Sequence, residues 1–75
     1  MLKISLSPEE CKYFRNASMP SGNQNITIIR QNLIGSINSI VQVTCCENGQ
    51  YYTQECYITN IKKVWDKYQI DLKLV

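Results

Sequence analysis

The chain of 75 residues contains no histidine. That absence removes the Ser-His and Cys-His dyads and every imidazole ligand, so hydrolase and zinc-hydrolase chemistries lose their usual base. Glycine is scarce as well: Gly22, Gly35 and Gly49 each stand alone among turn-forming residues, and no Gly-rich phosphate loop can be built from them. The six acidic side chains are dispersed. Glu9 and Glu10 sit in a polar N-terminal stretch, while Glu47, Glu55, Asp66 and Asp71 are spread along the rest, and no pair of them forms an acid/base site. No window approaches the roughly 18 apolar residues that span a membrane, and Met1 to Glu10 lack the apolar core of a signal peptide. Either the chain begins after processing or the protein is never exported. A formal net charge of +2 is too small to argue for nucleic acid. These absences describe one small non-enzymatic domain with no cofactor, whose four cysteines are the first feature to explain.

Ser7-Pro8, Met19-Pro20 and Ser21-Gly22-Asn23 lie among few spaced apolar residues, so residues 1 to 24 read as an extended or irregular arm. From Asn25 the β-branched run Ile26-Thr27-Ile28-Ile29 predicts a strand over about 25 to 33, and Ile37 to Cys46 predicts a second. Asn48-Gly49 tolerates the positive φ angles of a type I′ turn, which predicts a hairpin with a third strand over about 51 to 57. In that register Cys46 faces Tyr51, Cys45 faces Tyr52, Val43 faces Gln54 and Val41 faces Cys56, with Val41, Val43, Cys45, Tyr52 and Cys56 on the more apolar face. Ile61, Val64, Trp65, Tyr68 and Leu72 recur at helical spacing and predict a C-terminal amphipathic helix, capped by Thr59 or Asn60 and lying on that face. The predicted fold is α+β: a three-stranded antiparallel sheet with one C-terminal helix packed across it and a flexible N-terminal arm.

Four cysteines allow three full pairings. Within the hairpin, Cys45 and Cys56 share a face but lie about 13 Å apart along the ladder, beyond the roughly 7 Å a disulfide spans. Cys46 points away from Cys56, and a vicinal Cys45-Cys46 bridge is strained. Cys11, on the mobile arm, is the remaining partner for Cys56, and that loop closure is worth roughly 3 to 5 kcal/mol in the chain-entropy model. Two other readings stay open: a metal site, disfavoured because C-x-x-C and histidine are both missing, and plain thiols, with Cys45 a buried apolar residue and Cys46 free. Asn16-Ala17-Ser18 and Asn25-Ile26-Thr27 are glycosylation sequons, with Asn16 and Asn25 the acceptors, and they fit an exported protein.

A cysteine-anchored arm, an irregular loop, three antiparallel strands and a C-terminal helix, in that order, resemble the chemokine family. The matching stretch is Ser39 to Thr44, Asn48-Gly49, Cys56 and Val64-Trp65, and the likeness covers about residues 11 to 72. A single arm cysteine, with none in Ile34 to Asn38, is similar to the lymphotactin-like class, with Cys11 and Cys56 in the places of its bridged pair. Adjacent Cys45 and Cys46, a long Gly49 to Cys56 stretch and a missing proline before the helix depart from the pattern, as in a virus-encoded mimic. The resemblance implies a flexible arm over residues 1–10, a single domain over 11–75, and a secreted glycoprotein cytokine that binds a seven-helix chemokine receptor. Ser7, Pro8, Glu9 and Glu10 would enter the receptor, Lys12, Tyr13, Phe14 and Arg15 would dock on its outer surface, and Lys62, Lys63 and Lys67 would hold a glycosaminoglycan or other polyanion. The competing expectations are a small intracellular interaction or inhibitor protein of viral or phage type, binding through a strand edge or helix, and a secreted subunit of a larger assembly.

Overall fold

A computed structural model describes residues 2–75 and contains β1 (Leu2–Ser5), α1 (Pro8–Ser18), β2 (Asn25–Arg30), β3 (Ile40–Glu47), β4 (Gln50–Val64) and β5 (Lys67–Leu74). The five strands form one mixed sheet in the order β1-β3-β4-β5-β2, with β1 parallel to β3 and every other pairing antiparallel. The expected three-stranded sheet under a C-terminal helix is therefore corrected: the helix is N-terminal, and the segment assigned to a C-terminal helix is the β4–β5 hairpin. Among the described residues no helix is long and apolar enough to cross a membrane.

The expected N-terminal arm is also corrected. Met1 lies outside the described residues, but Leu2–Ser5 pairs along β3 and Ser7 opens α1. The Ser7 hydroxyl accepts from the Glu10 N–H, and the Glu10 carboxylate accepts from the Ser7 N–H, forming a capping box with Pro8 at the start of the first turn. Proline is compatible there because the first helical N–H groups have no intrahelical partner. Cys11, Phe14 and Ala17 recur every three residues and are the buried side of the helix. At the far end Gly22 folds back against α1; a Cβ at this position would lie 2.4 Å from the Asn16 and Ala17 carbonyl oxygens.

The hairpin register read from Asn48-Gly49 is the observed one: both residues have positive φ, and Cys46↔Tyr51, Cys45↔Tyr52, Val43↔Gln54 and Val41↔Cys56 are partners. Strand β4 does not stop at Tyr57. It bulges between Ile58 and Asn60, runs on to Val64, and returns as β5 through Trp65-Asp66. Beneath α1 the inward side chains Val41, Val43, Cys45, Cys56, Ile58, Ile70 and Leu72 reach zero exposure, joined by Ile4, Ile26 and Ile28. Burial of this apolar surface drives the fold, at roughly 25 cal/mol for each Å² removed from water.

Arg30, at the end of edge strand β2, ties the helix to both sheet edges. Its guanidinium forms a two-pronged pair with Glu10, at 2.8 and 2.9 Å, and also donates to the Ser5 carbonyl at the end of β1. Hydrogen bonding and charge from Arg30 hold the Glu10 carboxyl below its ordinary pKa.

Candidate functional site

The four cysteines are free: Cys11, Cys45 and Cys56 are buried and Cys46 is exposed. The Cys11–Cys56 bridge is thus absent. Cys11 sits on a packed helix rather than a mobile arm, and its thiol is directed to the Leu6 carbonyl. Burial, reinforced by the neighbouring Cys11 thiol, pushes Cys45 up to about 12, and burial alone pushes Cys56 up to about 11. Protonated thiols of this kind behave as small apolar core residues. No group of three or more potential metal ligands comes together among the described residues.

The residues expected to engage a receptor do not form one surface. Phe14 is core, Ser7 and Pro8 open the helix, Glu10 is engaged by Arg30, and Arg15 pairs with Glu47. Glu9, Lys12 and Tyr13 are exposed on α1. The expected polyanion trio is divided by the pleat: Lys62 and Lys67 belong to the outer sheet face, whereas Lys63 lies on the helix side, 5.9 Å from the Tyr68 ring centroid. Both sequon residues, Asn16 and Asn25, are exposed and border one groove between α1 and β2.

What the structure does assemble is the sheet face opposite α1. No residue on it is buried, and along β3 burial alternates strictly between the two faces. Lys3, Lys62, Lys67 and Lys73 on this face outnumber Glu55 and Asp71 by two, which equals the formal charge of the whole chain. Ile40, Tyr51 and Tyr57 stand apart farther along the same face, while Val64 and Ile29 come together at one end, where Val64 faces Lys67 across the hairpin and Gln69 faces Ile29 across β5 and β2. With Trp65 and Asp66 they border a cleft of about 230 Å³.

Trp65 is the only tryptophan, and it is 92% exposed. It occupies the first of the two turn residues with φ of 60°, while Asp66 does not share that sign. Two-residue hairpin turns of this form favour glycine at that position, because a side chain there crowds the backbone. The turn therefore carries a conformational cost, and the indole recovers almost none of it by packing within the chain. The helical spacing of Ile61, Val64, Trp65, Tyr68 and Leu72 predicts a buried Trp65, and the observed turn corrects that expectation. The turn gives no clear local signal because Trp65 stands where this turn takes glycine, although Asp66 suits the second position.

No family model, curated protein or solved structure matches the chain.

Proposed function

We propose that the chain is a non-enzymatic protein-binding module that presents Trp65 at the tip of the β4–β5 hairpin as its anchor. The observation that carries this reading is an unburied tryptophan held at positive φ. Folding gains nothing from this side chain at this place, and tryptophan is prominent among residues that dominate binding energy when a partner desolvates them. Ile29, at 57% exposure, and Val64 extend the apolar contact; Lys67 lines the cleft and Lys62 stands beside Gln69 on the same face, against the single carboxylate of Asp66. The matching surface is an apolar pocket on a protein partner, with carboxylates at its rim. A chemokine-type ligand needs a free N-terminal arm, and here those residues form strand β1 and helix α1.

The test compares the chain with its Trp65→Gly and Ile29→Ser variants in affinity capture, followed by titration against the purified partner. Emission from the single tryptophan should move to shorter wavelength in the complex. Trp65→Gly should weaken binding by about 30-fold or more, as for a hot spot of roughly 2 kcal/mol. Equal affinity of the chain and both variants would remove the hairpin tip from the interface.

A further inference from the structure

The outward edge of β2 carries a set of unpaired backbone groups whose arrangement identifies its occupant. Hydrogen-bonded residues alternate along an antiparallel strand. The Leu74 N–H donates to the Gln24 carbonyl at 2.9 Å, which sets the phase of the β2–β5 ladder. Ile26, Ile28 and Arg30 consequently turn their backbone groups toward β5, and Asn25, Thr27 and Ile29 turn theirs outward. Two of the outward groups are satisfied locally. The Asn25 N–H donates to Asn23 Oδ1 at 3.0 Å, and the Ile29 carbonyl accepts from Arg30 Nη1 at 2.8 Å. The Asn25 carbonyl, both groups of Thr27 and the Ile29 N–H have no partner among the described residues. The edge is open, bordered by a groove of about 490 Å³ between β2 and α1.

We infer that β2 pairs antiparallel with β2 of a second copy of this chain about a two-fold axis at Thr27, joining the two sheets into one. With Thr27 opposite its symmetry mate, each Thr27 N–H donates to the other's carbonyl, and each Ile29 N–H donates to the opposing Asn25 carbonyl. Every open group is used. The two groups that this register would otherwise also pair, the Asn25 N–H and the Ile29 carbonyl, are the two already satisfied within each chain. An unrelated strand laid in the same place leaves its own groups opposite those two unpaired, which a buried backbone tolerates poorly. Side chains agree with the pairing. Between Asn25 and Ile29 there is no charge and no proline, the usual guards of an edge, and Thr27 would face Thr27. β4 beyond Asn60, which is paired to β5 on one side and has no strand on the side that β3 lines farther back, carries Lys62 and Lys63 instead. The inference is independent of the role assigned to Trp65.

The experiment measures solution mass from micromolar to millimolar concentration for the chain, for Thr27→Lys, which sets two lysines opposite each other, and for Thr53→Lys, a control on the same face in β4. Backbone amide exchange is followed in parallel on the unsubstituted chain. The chain and the control should approach twice the 8.7 kDa of one copy as concentration rises, while Thr27→Lys stays at one copy. Thr27 and Ile29 amides should become protected as the dimer fills, and exchange settles the matter on its own if the lysine variant does not fold. A mass of one copy at every concentration, or a dimer in which those two amides still exchange freely, would overturn the inference.

Discussion

Replacing Trp65 separates what the hairpin tip contributes to folding from what it contributes to binding. A tryptophan buried in a core costs about 3 to 5 kcal/mol when cut to alanine, and a docked C-terminal helix would place Trp65→Ala in that range. At 92% exposure the indole has almost no buried area to lose. The larger consideration is its φ of 60°. Left-handed backbone carries a penalty of roughly 1 to 2 kcal/mol for an ordinary L-residue and none for glycine. Against this, glycine gives the unfolded chain extra freedom worth roughly 0.5 to 1 kcal/mol. Trp65→Gly should therefore raise stability by about 0.5 to 1 kcal/mol, a gain of a few degrees in the melting temperature of a domain this small. Trp65→Ala keeps the strained φ and should change stability little. Urea unfolding followed by far-UV circular dichroism measures both variants without using the lost fluorophore. A loss of 2 kcal/mol or more in Trp65→Gly would show that the indole packs against the chain, and the argument for an outward-facing anchor would fail with it.

Two further outcomes follow from the buried groups. A small alkylating reagent should modify Cys46 alone in the native protein and all four thiols after unfolding, counted by intact mass, because Cys11, Cys45 and Cys56 are buried and Cys45 and Cys56 resist ionisation; recovery of a linked Cys11–Cys56 peptide would contradict the free-thiol core. Glu10→Gln should cost about 1 kcal/mol at neutral pH, and the gap to the unsubstituted chain should close as pH falls below about 4.5. The Arg30-bound carboxyl holds its proton less readily folded than unfolded, so its contribution is complete above the unfolded pKa and is lost as pH drops through the lower folded one. A gap that stays constant in acid would mean that the ion pair does not matter.

The central part of the sheet was legible because its signals are local. Asn48-Gly49 fixes the turn, the turn fixes the register, and alternation then assigns Val41, Val43, Cys45 and Cys56 to one face. The two ends mislead for separate reasons. Ser7-Pro8 reads as a break on its proline alone, but Ser7 with Glu10 three residues on and proline at the first helical position is a helix start. At the other end Ile61, Val64, Trp65, Tyr68 and Leu72 fit a helical stripe only by leaving out Ile70. Tyr68, Ile70, Leu72 and Leu74 alternate at period two, and Ile70 is fully buried. Of the candidate site, the apolar identities of Ile29, Val64 and Trp65 were visible, but nothing local brings Ile29 beside a hairpin tip more than thirty residues later in the chain. That juxtaposition depends on β2 pairing with β5, a long-range contact.

A sheet has two faces, and the described residues include one helix with which to cover them. Covering the inner face uses Cys11, Phe14 and Ala17 and builds the core. Threonine, glutamine and lysine on β2 to β5 make the outer face compatible with water, as an antiparallel sheet covered on one side requires, with Ile40, Tyr51 and Tyr57 among them. Ile29, Val64 and Trp65 depart from that pattern at one end, and the unguarded stretch from Asn25 to Ile29 departs from it along an edge. Solubility and folding alone favour polar residues in the first place and a charged guard in the second. Ile29 belongs to both places: its side chain extends the Trp65 patch, and its N–H belongs to the open edge. A partner on the hairpin tip and a second copy on β2 would thus meet at Ile29. Ile29→Ser, which alters the side chain but keeps the backbone donor, should weaken the first association and leave the second in place.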